Sequence, residues 1–306
     1  MSSQEKLVSI GLPTFNRAKV LRRAVDSLLA QTYRNFELII SDNASSDETQ
    51  EICRQYAARD PRVRYVRQKE NIGAAPNNIF VLREARGEYF LWTADDDWWA
   101  PEYVASLVDA LENHSGYGVA LCSFQRLYPD GRAYDEMIMS GDNDVTHDGY
   151  FTVYKKIFMG TLLNHFIYGL FIRKLLMKFF DPPLSPCSSW EKIIVSEMAL
   201  ATHFYSVKPM LRFVTQRERK WPKISYHSPR FPGEPLRPVY FLPRAYARTL
   251  FKSLWRVMIS KAVPLHRKAL VIFPLLSVLW FQRKRFIGVS RRDLERLWNR
   301  KILKRF

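Results

Sequence analysis

The first hundred residues alternate short apolar runs with helical patterns, and this alternation limits the possible folds more than any other feature of the chain. The strand-like runs are LVSIGL (7–12), FELIIS (36–41), VRYVR (63–67) and EYFLWT (88–93). Between them, the segment from Arg17 to Gln31 places Val20, Leu21, Ala24, Val25, Leu28 and Leu29 on one helical face. Ser45, Ser46 and Asp47 offer caps to a second helix over Thr49–Ala58, and a third is predicted over about 74–85. Strands joined by helices of this length imply βαβ units and a mostly parallel sheet. Ligands of such sheets bind beyond the carboxyl ends of the strands. Those ends carry PTFNR, SDNASSDET, KENIGAAPNN and TADDDWW, all polar.

Several function classes are disfavoured at once. No G-x-G-x-x-G follows the first strand and no G-x-x-x-x-G-K-[ST] occurs, which argues against a dinucleotide-binding dehydrogenase and a P-loop NTPase. Cys53, Cys122 and Cys187 are widely spaced, so neither a disulfide scaffold nor a zinc ribbon is expected. The start, MSSQEKLVSIGLPTFNR, has no basic-then-apolar leader, and a cytoplasmic protein is predicted.

Asp95, Asp96 and Asp97 follow the fourth apolar run directly. Adjacent carboxylates repel one another unless a cation or a donor network compensates. One reading is an N-cap cluster for a helix starting near Pro101. The other is a site for Mg²⁺ or Mn²⁺, which bind hard oxygens and often share one or two carboxylates with substrate phosphates.

Taken in order, PTFNRAKVLRRAVDSLLAQTYRNFELIISDNASSDET, ENIGAAPNN and GEYFLWTADDDWWAPEYV resemble the nucleotide-binding half of family-2 glycosyltransferases with the GT-A fold. IYGLFIRKLL (167–176) and WEKIIVSEMALATHFYSV (190–207) are similar to acceptor-side segments of that family, so the resemblance spans roughly residues 5–220. It implies a Rossmann-like, mostly parallel α/β sheet flanked by helices. By the same resemblance Pro13, Thr14, Asn16 and Arg17 would wall the nucleotide pocket, Asp42 would bond the nucleobase or ribose, and Asn71, Gly73 and Asn77 would line the neighbouring loop. Asp95 would hold the ribose and Asp96 a divalent cation, Mn²⁺ or Mg²⁺, with Asp97 extending the metal cluster. Ala94 stands where many members begin this motif with an aspartate. Glu191 falls where the family places its catalytic base, although many relatives have Asp there; it also reads as a dipole-favoured acid just before a helix over Lys192–Leu200. Glu197 reads as a solvated helix residue.

Other candidates carry less. Trp98 and Trp99 read as core residues or as a platform for a sugar ring. His147 and His165 read as structural. Arg217, Arg219 and Lys220 could reach a diphosphate or form an ordinary charged loop, and Cys187 has no activating partner in sequence.

Charge separates the remainder. The formal net charge is +17, yet residues 230–306 hold 19 Lys/Arg against 3 Asp/Glu, a net of +16 that leaves the rest nearly neutral. Pro229, Pro232, Pro235, Pro238 and Pro243 mark an extended join. The expected organisation is a catalytic domain over 1–228 (nucleotide-sugar half about 1–113, acceptor half 114–228), a linker over 229–243 and a basic amphipathic helical region over 244–306. In that region Arg244, Arg248, Lys252 and Arg256 recur every four residues opposite an apolar side that includes Trp255. ALVIFPLLSVLWF (269–281), which holds Trp280, is shorter than the about 20 residues a spanning helix needs. A helix lying on anionic lipid is expected, with docking on the catalytic domain or a homo-oligomer contact as alternatives. Long apolar runs between the charges argue against a nucleic-acid arm.

The combined expectation is an inverting, metal-dependent glycosyltransferase on the cytoplasmic face of the membrane. It would move a sugar from a nucleotide-diphosphate sugar, foremost a UDP-sugar, to a hydroxyl of a lipid-linked saccharide in surface-glycan (O-antigen, lipopolysaccharide or capsule) biosynthesis. A polyprenyl-phosphate glycosyltransferase and a non-catalytic membrane-bound nucleotide-sugar-binding protein are the alternatives.

Overall fold

The four apolar runs form the parallel half of one nine-stranded sheet. They are β1 (Val8–Thr14), β2 (Phe36–Asp42), β3 (Val63–Arg67) and β4 (Tyr89–Trp92). A computed structural model describes residues 5–128, 130–140, 144–158, 164–181, 190–215 and 255–269. The four strands lie in the order β3-β2-β1-β4, all parallel. Every residue of β2 and β4 is buried, as expected of parallel strands covered on both faces. The predicted helices are α1 (Leu21–Leu29), α2 (Thr49–Arg59) and α3 (Ala74–Glu84). Leu21, Ala24, Val25 and Leu28 of α1 are buried, the inward stripe read from the sequence. Gly11 lets α3 come close to β1: a Cβ there would lie 2.7 Å from Val81 Cγ2 and 2.8 Å from Phe90 Cζ.

The sheet continues in mixed sense. After β5 (Trp98–Trp99) and α4 (Tyr103–Asn113) come β6 (Tyr117–Leu127), β7 (Ala133–Met137), α5 (Tyr150–Phe158), β8 (Leu170–Ile172), α6 (Arg173–Met177), α7 (Trp190–Ala199) and β9 (His203–Thr215). The path runs on from β4 through β8, β6 and β9 to β5, with β7 paired to β6. β8 is antiparallel to β4, so the parallel unit ends there. β9 runs parallel to β6 and its far end pairs with β5, Trp99 opposite Arg212. That pairing brings residues from the end of β9 back to the carboxylate loop.

Two apolar clusters hold the sheet. One gathers α1, α2 and α4 against β1, β2 and β4. The other gathers α3, α5 and α7 around Trp92, and Val257 and Val263 join it. Trp92 packs edge-on against Phe171 and Trp190, each at 5.7 Å between ring centroids. Residues 255–259 and 265–269 each form a short helical stretch. Among the described residues no helix is long and apolar enough to cross a membrane.

Candidate active site

β1 is flanked by β2 on one side and β4 on the other, so a crevice opens at the carboxyl ends of these three strands. Pro13 and Thr14 end β1, and Thr14 is buried. Asn16 has φ 53, a left-handed conformation that Asn tolerates better than most residues. Its Oδ1 accepts from the Ser46 amide at 2.9 Å, tying the β1 loop to the β2 loop. Asp42 ends β2 fully buried; its carboxylate accepts from the Ser45 amide at 2.9 Å and from the Tyr65 hydroxyl at 3.0 Å, with Arg67 Nε at 3.6 Å. Asn71 Oδ1 accepts from Asn43 Nδ2 at 2.8 Å and from the Gly73 amide at 2.9 Å. Gly73 opens α3 at φ 87, where a side chain would be strained. Asn77 is buried behind this loop. It donates from Nδ2 to the Ser41 carbonyl and accepts from the Ser41 hydroxyl, so it braces α3 on β2 instead of lining the crevice.

The carboxylates beyond β4 take three different environments. Asp95 Oδ1 accepts from Arg17 Nε at 3.0 Å, which links two residues expected in one pocket. Burial pushes its pKa up to about 6; the Arg17 charge opposes this and the Asp96 charge adds to it. Asp96 anchors its loop through the main chain, where its carbonyl accepts from Arg23 Nη2 at 3.3 Å and from the Thr215 hydroxyl. Asp97 departs from its expected role as a metal ligand. It is buried, its Oδ2 accepts from Arg212 Nη2 at 2.5 Å and Nε at 3.2 Å, and its Oδ1 accepts from the Thr215 amide at 3.2 Å. Both oxygens are thus engaged by β9, and the ion pair fixes the loop from below.

Residues of the mixed part of the sheet surround Arg212. The Arg212 guanidinium lies 3.7 Å over the Tyr168 ring, and the Tyr168 carbonyl accepts from the Tyr103 hydroxyl at 2.5 Å. Burial raises the Tyr168 pKa; among the neighbouring charges Arg212 lowers it, while Asp97, Glu191 and Asp96 raise it. An apolar hollow is lined by Phe124, Met139, Phe166, Tyr168 and Arg212. Glu191 lies in the first turn of α7 instead of preceding the helix, because Trp190 is itself helical and packs on Trp92.

Among these groups, Asp96 has the chemistry to hold a divalent cation. Mg²⁺ and Mn²⁺ commonly take one or two protein carboxylates and complete their shell with phosphate and water. Among the described residues there is no group of three or more His, Cys, Asp or Glu that could hold a metal. A cation here would therefore rely on donor phosphates.

The remaining candidates divide clearly. Trp98 stacks on Phe213 at 5.5 Å with the Arg23 guanidinium 4.0 Å from its ring centre, and Trp99 is core. His147 is exposed. Arg256, expected on the lipid-facing stripe, is instead buried against Glu197, Nε to Oε2 at 3.3 Å. Glu197, read as solvated, is fully buried. Both corrections have one cause: the 255–269 segment docks on α7 through the face that carries Arg256. Trp255 does face outward, 59% exposed. Arg217, Arg219, Lys220, Cys187, the 229–243 join, Arg244, Arg248, Lys252 and Trp280 lie outside the described residues, as does the His165 side chain. Arg212, Tyr168 and Thr215 were missed because nothing local in β9 or before β8 marks them. The uncompensated charge of three adjacent aspartates was the one available sign that a buried cation had to exist.

Comparisons with known proteins match this arrangement. Among solved structures, Staphylococcus aureus TarS, residues 1–349, is similar in fold, with TM-score 0.65 at 16% identity, over 93% of this chain and 74% of that one. PcManGT of Pyrobaculum calidifontis, a mannosyltransferase solved with GDP-Man and Mn²⁺, gives TM-score 0.53 at 16% identity, over 97% and 84%. An uncharacterized glycosyltransferase of Rickettsia typhi, RT0329, is 36% identical over 110 residues, 35% of this chain and 33% of that protein. TuaG of Bacillus subtilis, whose name assigns it to teichuronic acid biosynthesis, is 28% identical over 148 residues, 48% of this chain and 58% of that protein. The match thus spans only about a third of the Rickettsia relative. The sequence model of Glycosyl transferase family 2 matches residues 9–180, and the chain belongs to that family.

Proposed function

We propose that the chain is an inverting glycosyltransferase that moves a sugar from a nucleotide-diphosphate sugar, foremost a UDP-sugar, to a hydroxyl of a lipid-linked saccharide during surface-polymer synthesis. The observation that carries this reading is the Arg17–Asp95 contact at 3.0 Å, which joins the β1 loop to the loop that holds Asp96. Trp190, next to Glu191, packs on Trp92 at the end of β4, which supports a donor-side and an acceptor-side acid serving one site. The reading is supported by TarS, solved with UDP-GlcNAc, by PcManGT with GDP-Man, and by the name of TuaG. The β1, β2 and α3 loops, including Asp42 and Asn71, would hold the nucleoside, and Asp95 with Arg17 would set the wall beside the ribose.

In this reading Glu191 accepts the proton of the acceptor hydroxyl as its oxygen attacks the anomeric carbon. The new C–O bond forms while the bond to the nucleotide diphosphate breaks, and the electron pair leaves with the diphosphate. Asp96 would hold Mn²⁺ or Mg²⁺, which offsets the charge of the departing diphosphate when bound. Attack from the face opposite the leaving group inverts the anomeric carbon.

The basic tail would bring this site to the cytoplasmic face of a membrane. Trp255, Met258 and Leu265 of the docked segment are 59%, 47% and 80% exposed, and Lys261 of the same segment is exposed too. Exposed apolar side chains with basic neighbours in sequence suit the interfacial layer of an anionic bilayer. Screening nucleotide sugars with Mn²⁺, followed by NMR of the product's anomeric configuration, tests the reading. Inversion is expected, and retention would refute it.

A further inference from the structure

The docked piece of the tail grips the helix that carries Glu191. Glu197 is fully buried and Arg256 is 6% exposed. Arg256 Nε reaches Glu197 Oε2 at 3.3 Å, and its Nη2 donates to the Phe179 carbonyl. Burial raises the Glu197 pKa, and Arg256 and Ser260 oppose that rise. Eleven residues after Arg256, Arg267 Nη1 donates to the Leu200 and Ala201 carbonyls at 3.1 and 3.3 Å, while its guanidinium lies 3.5 Å over the Tyr150 ring. These carbonyls lie in the turn just past Ala199, the last residue of α7, at the terminus where a cation is favoured. Val257 and Val263 fill the space between the two arginines and join the same core cluster as Ile193 and Ile194.

A buried ion pair contributes little net stability over apolar residues of equal size, because both ions must be desolvated. Its strength lies in geometry: Glu197 cannot leave its seat without stranding a charge. Glu197 lies six residues beyond Glu191 on one helix, about 9 Å at the usual rise per residue. Over so short a span a helix transmits a tilt at one end to the other. We propose that Arg256 is a positioning residue: by clamping segment 255–269 onto α7 it holds Glu191 at the angle from which it takes the acceptor proton. This rests on the assignment of Glu191 as base. It also makes segment 255–269 a working part of the acceptor-side half.

The full chain is compared with Arg256→Met, Arg256→Lys and the double variant Arg256→Met/Glu197→Gln, which leaves no stranded charge if Arg256→Met alone folds poorly. Two measurements are made: hydrogen exchange by mass spectrometry, and kcat and donor KM for sugar transfer. Removing the clamp should speed exchange in α7 about tenfold while α1 and α2 keep wild-type rates. It should lower kcat by about tenfold to a hundredfold, with donor KM within about twofold. Arg256→Lys should recover most of kcat. Wild-type kcat in both Met variants overturns the proposal, as does a parallel loss of kcat and donor binding with faster exchange in α1 and α2. Glu191→Gln separates the two readings. If it transfers at the wild-type rate the base assignment fails, whereas the α7 exchange rates still report on the clamp.

Discussion

Trp92 and Trp190 meet edge to face at 5.7 Å between ring centroids. Trp92 ends the strand that leads into the carboxylate loop, and Trp190 opens the helix that carries Glu191. One aromatic contact therefore sets the spacing between the donor-side acids and the candidate base. Trp92 also donates from Nε1 to the Asn78 carbonyl at 2.9 Å, so α3 shares the same anchor.

Trp190→Ala should destabilise the fold by about 3–5 kcal/mol, the usual cost of emptying a buried tryptophan site. Urea unfolding measures this. Trp190→Phe should keep most of the stability and lose transfer rate more than donor affinity, because the first turn of α7 shifts while the nucleotide loops stay in place.

Asp97 and Asp96 should respond oppositely to truncation. Asp97→Ala leaves Arg212 buried without its carboxylate and should cost about 3–5 kcal/mol. Asp96→Ala should cost less stability than Asp97→Ala, because Asp96 is less buried, and should remove Mn²⁺-dependent transfer. Equal stability losses in the two variants would contradict the division of labour drawn from the Arg212 contact.

Asp95 supplies a pH test. Its folded pKa, about 6, lies above the ordinary aspartate value, so the cost of ionising it in the fold is fully present above about pH 6 and disappears as pH falls toward 4. Asp95→Asn should therefore gain on wild type by about 2–3 kcal/mol in going from pH 4 to pH 7, the equivalent of a shift of about two pKa units. Thermal melts of both proteins across that range measure the difference. A pH-independent difference would mean that the Arg17 charge offsets the burial of Asp95 in full.

The exposed apolar side chains of the docked segment make a separate prediction. Replacing Trp255, Met258 and Leu265 with Ser should weaken co-sedimentation with vesicles of anionic phospholipid by at least about tenfold, since each removes an apolar side chain worth up to roughly 1.5–3 kcal/mol when fully buried. Melting temperature should stay near that of wild type, because none of the three is buried in the fold. Undiminished vesicle binding would remove these residues from the membrane contact.

The parallel half was legible because its signals are local. Alternating runs such as LVSIGL and FELIIS and the inward stripe of α1 depend on neighbours within a few residues, and the structure reproduces them with small shifts at the ends. Asp97 could not be separated from Asp96 in the same way. Its partner Arg212 lies 115 positions away, on a strand that reaches the loop only because β9 pairs with both β6 and β5. Arg256 shows the same limit from the other side. A four-residue basic period makes a stripe on any helix, but which side faces the protein depends on Glu197, 59 positions earlier. Periodicity identifies a face; it does not say what covers it.

In the proposed mechanism Glu191, at the first turn of α7, and Asp96, beyond β4, act on one donor and one acceptor. The decisive measurement is the initial rate of sugar transfer from a nucleotide sugar in Mn²⁺ by folded Glu191→Gln, set beside wild type. A loss of about a hundredfold to ten-thousandfold, the usual contribution of a general base, with donor binding retained, is the predicted result. Transfer within about twofold of wild type would contradict it.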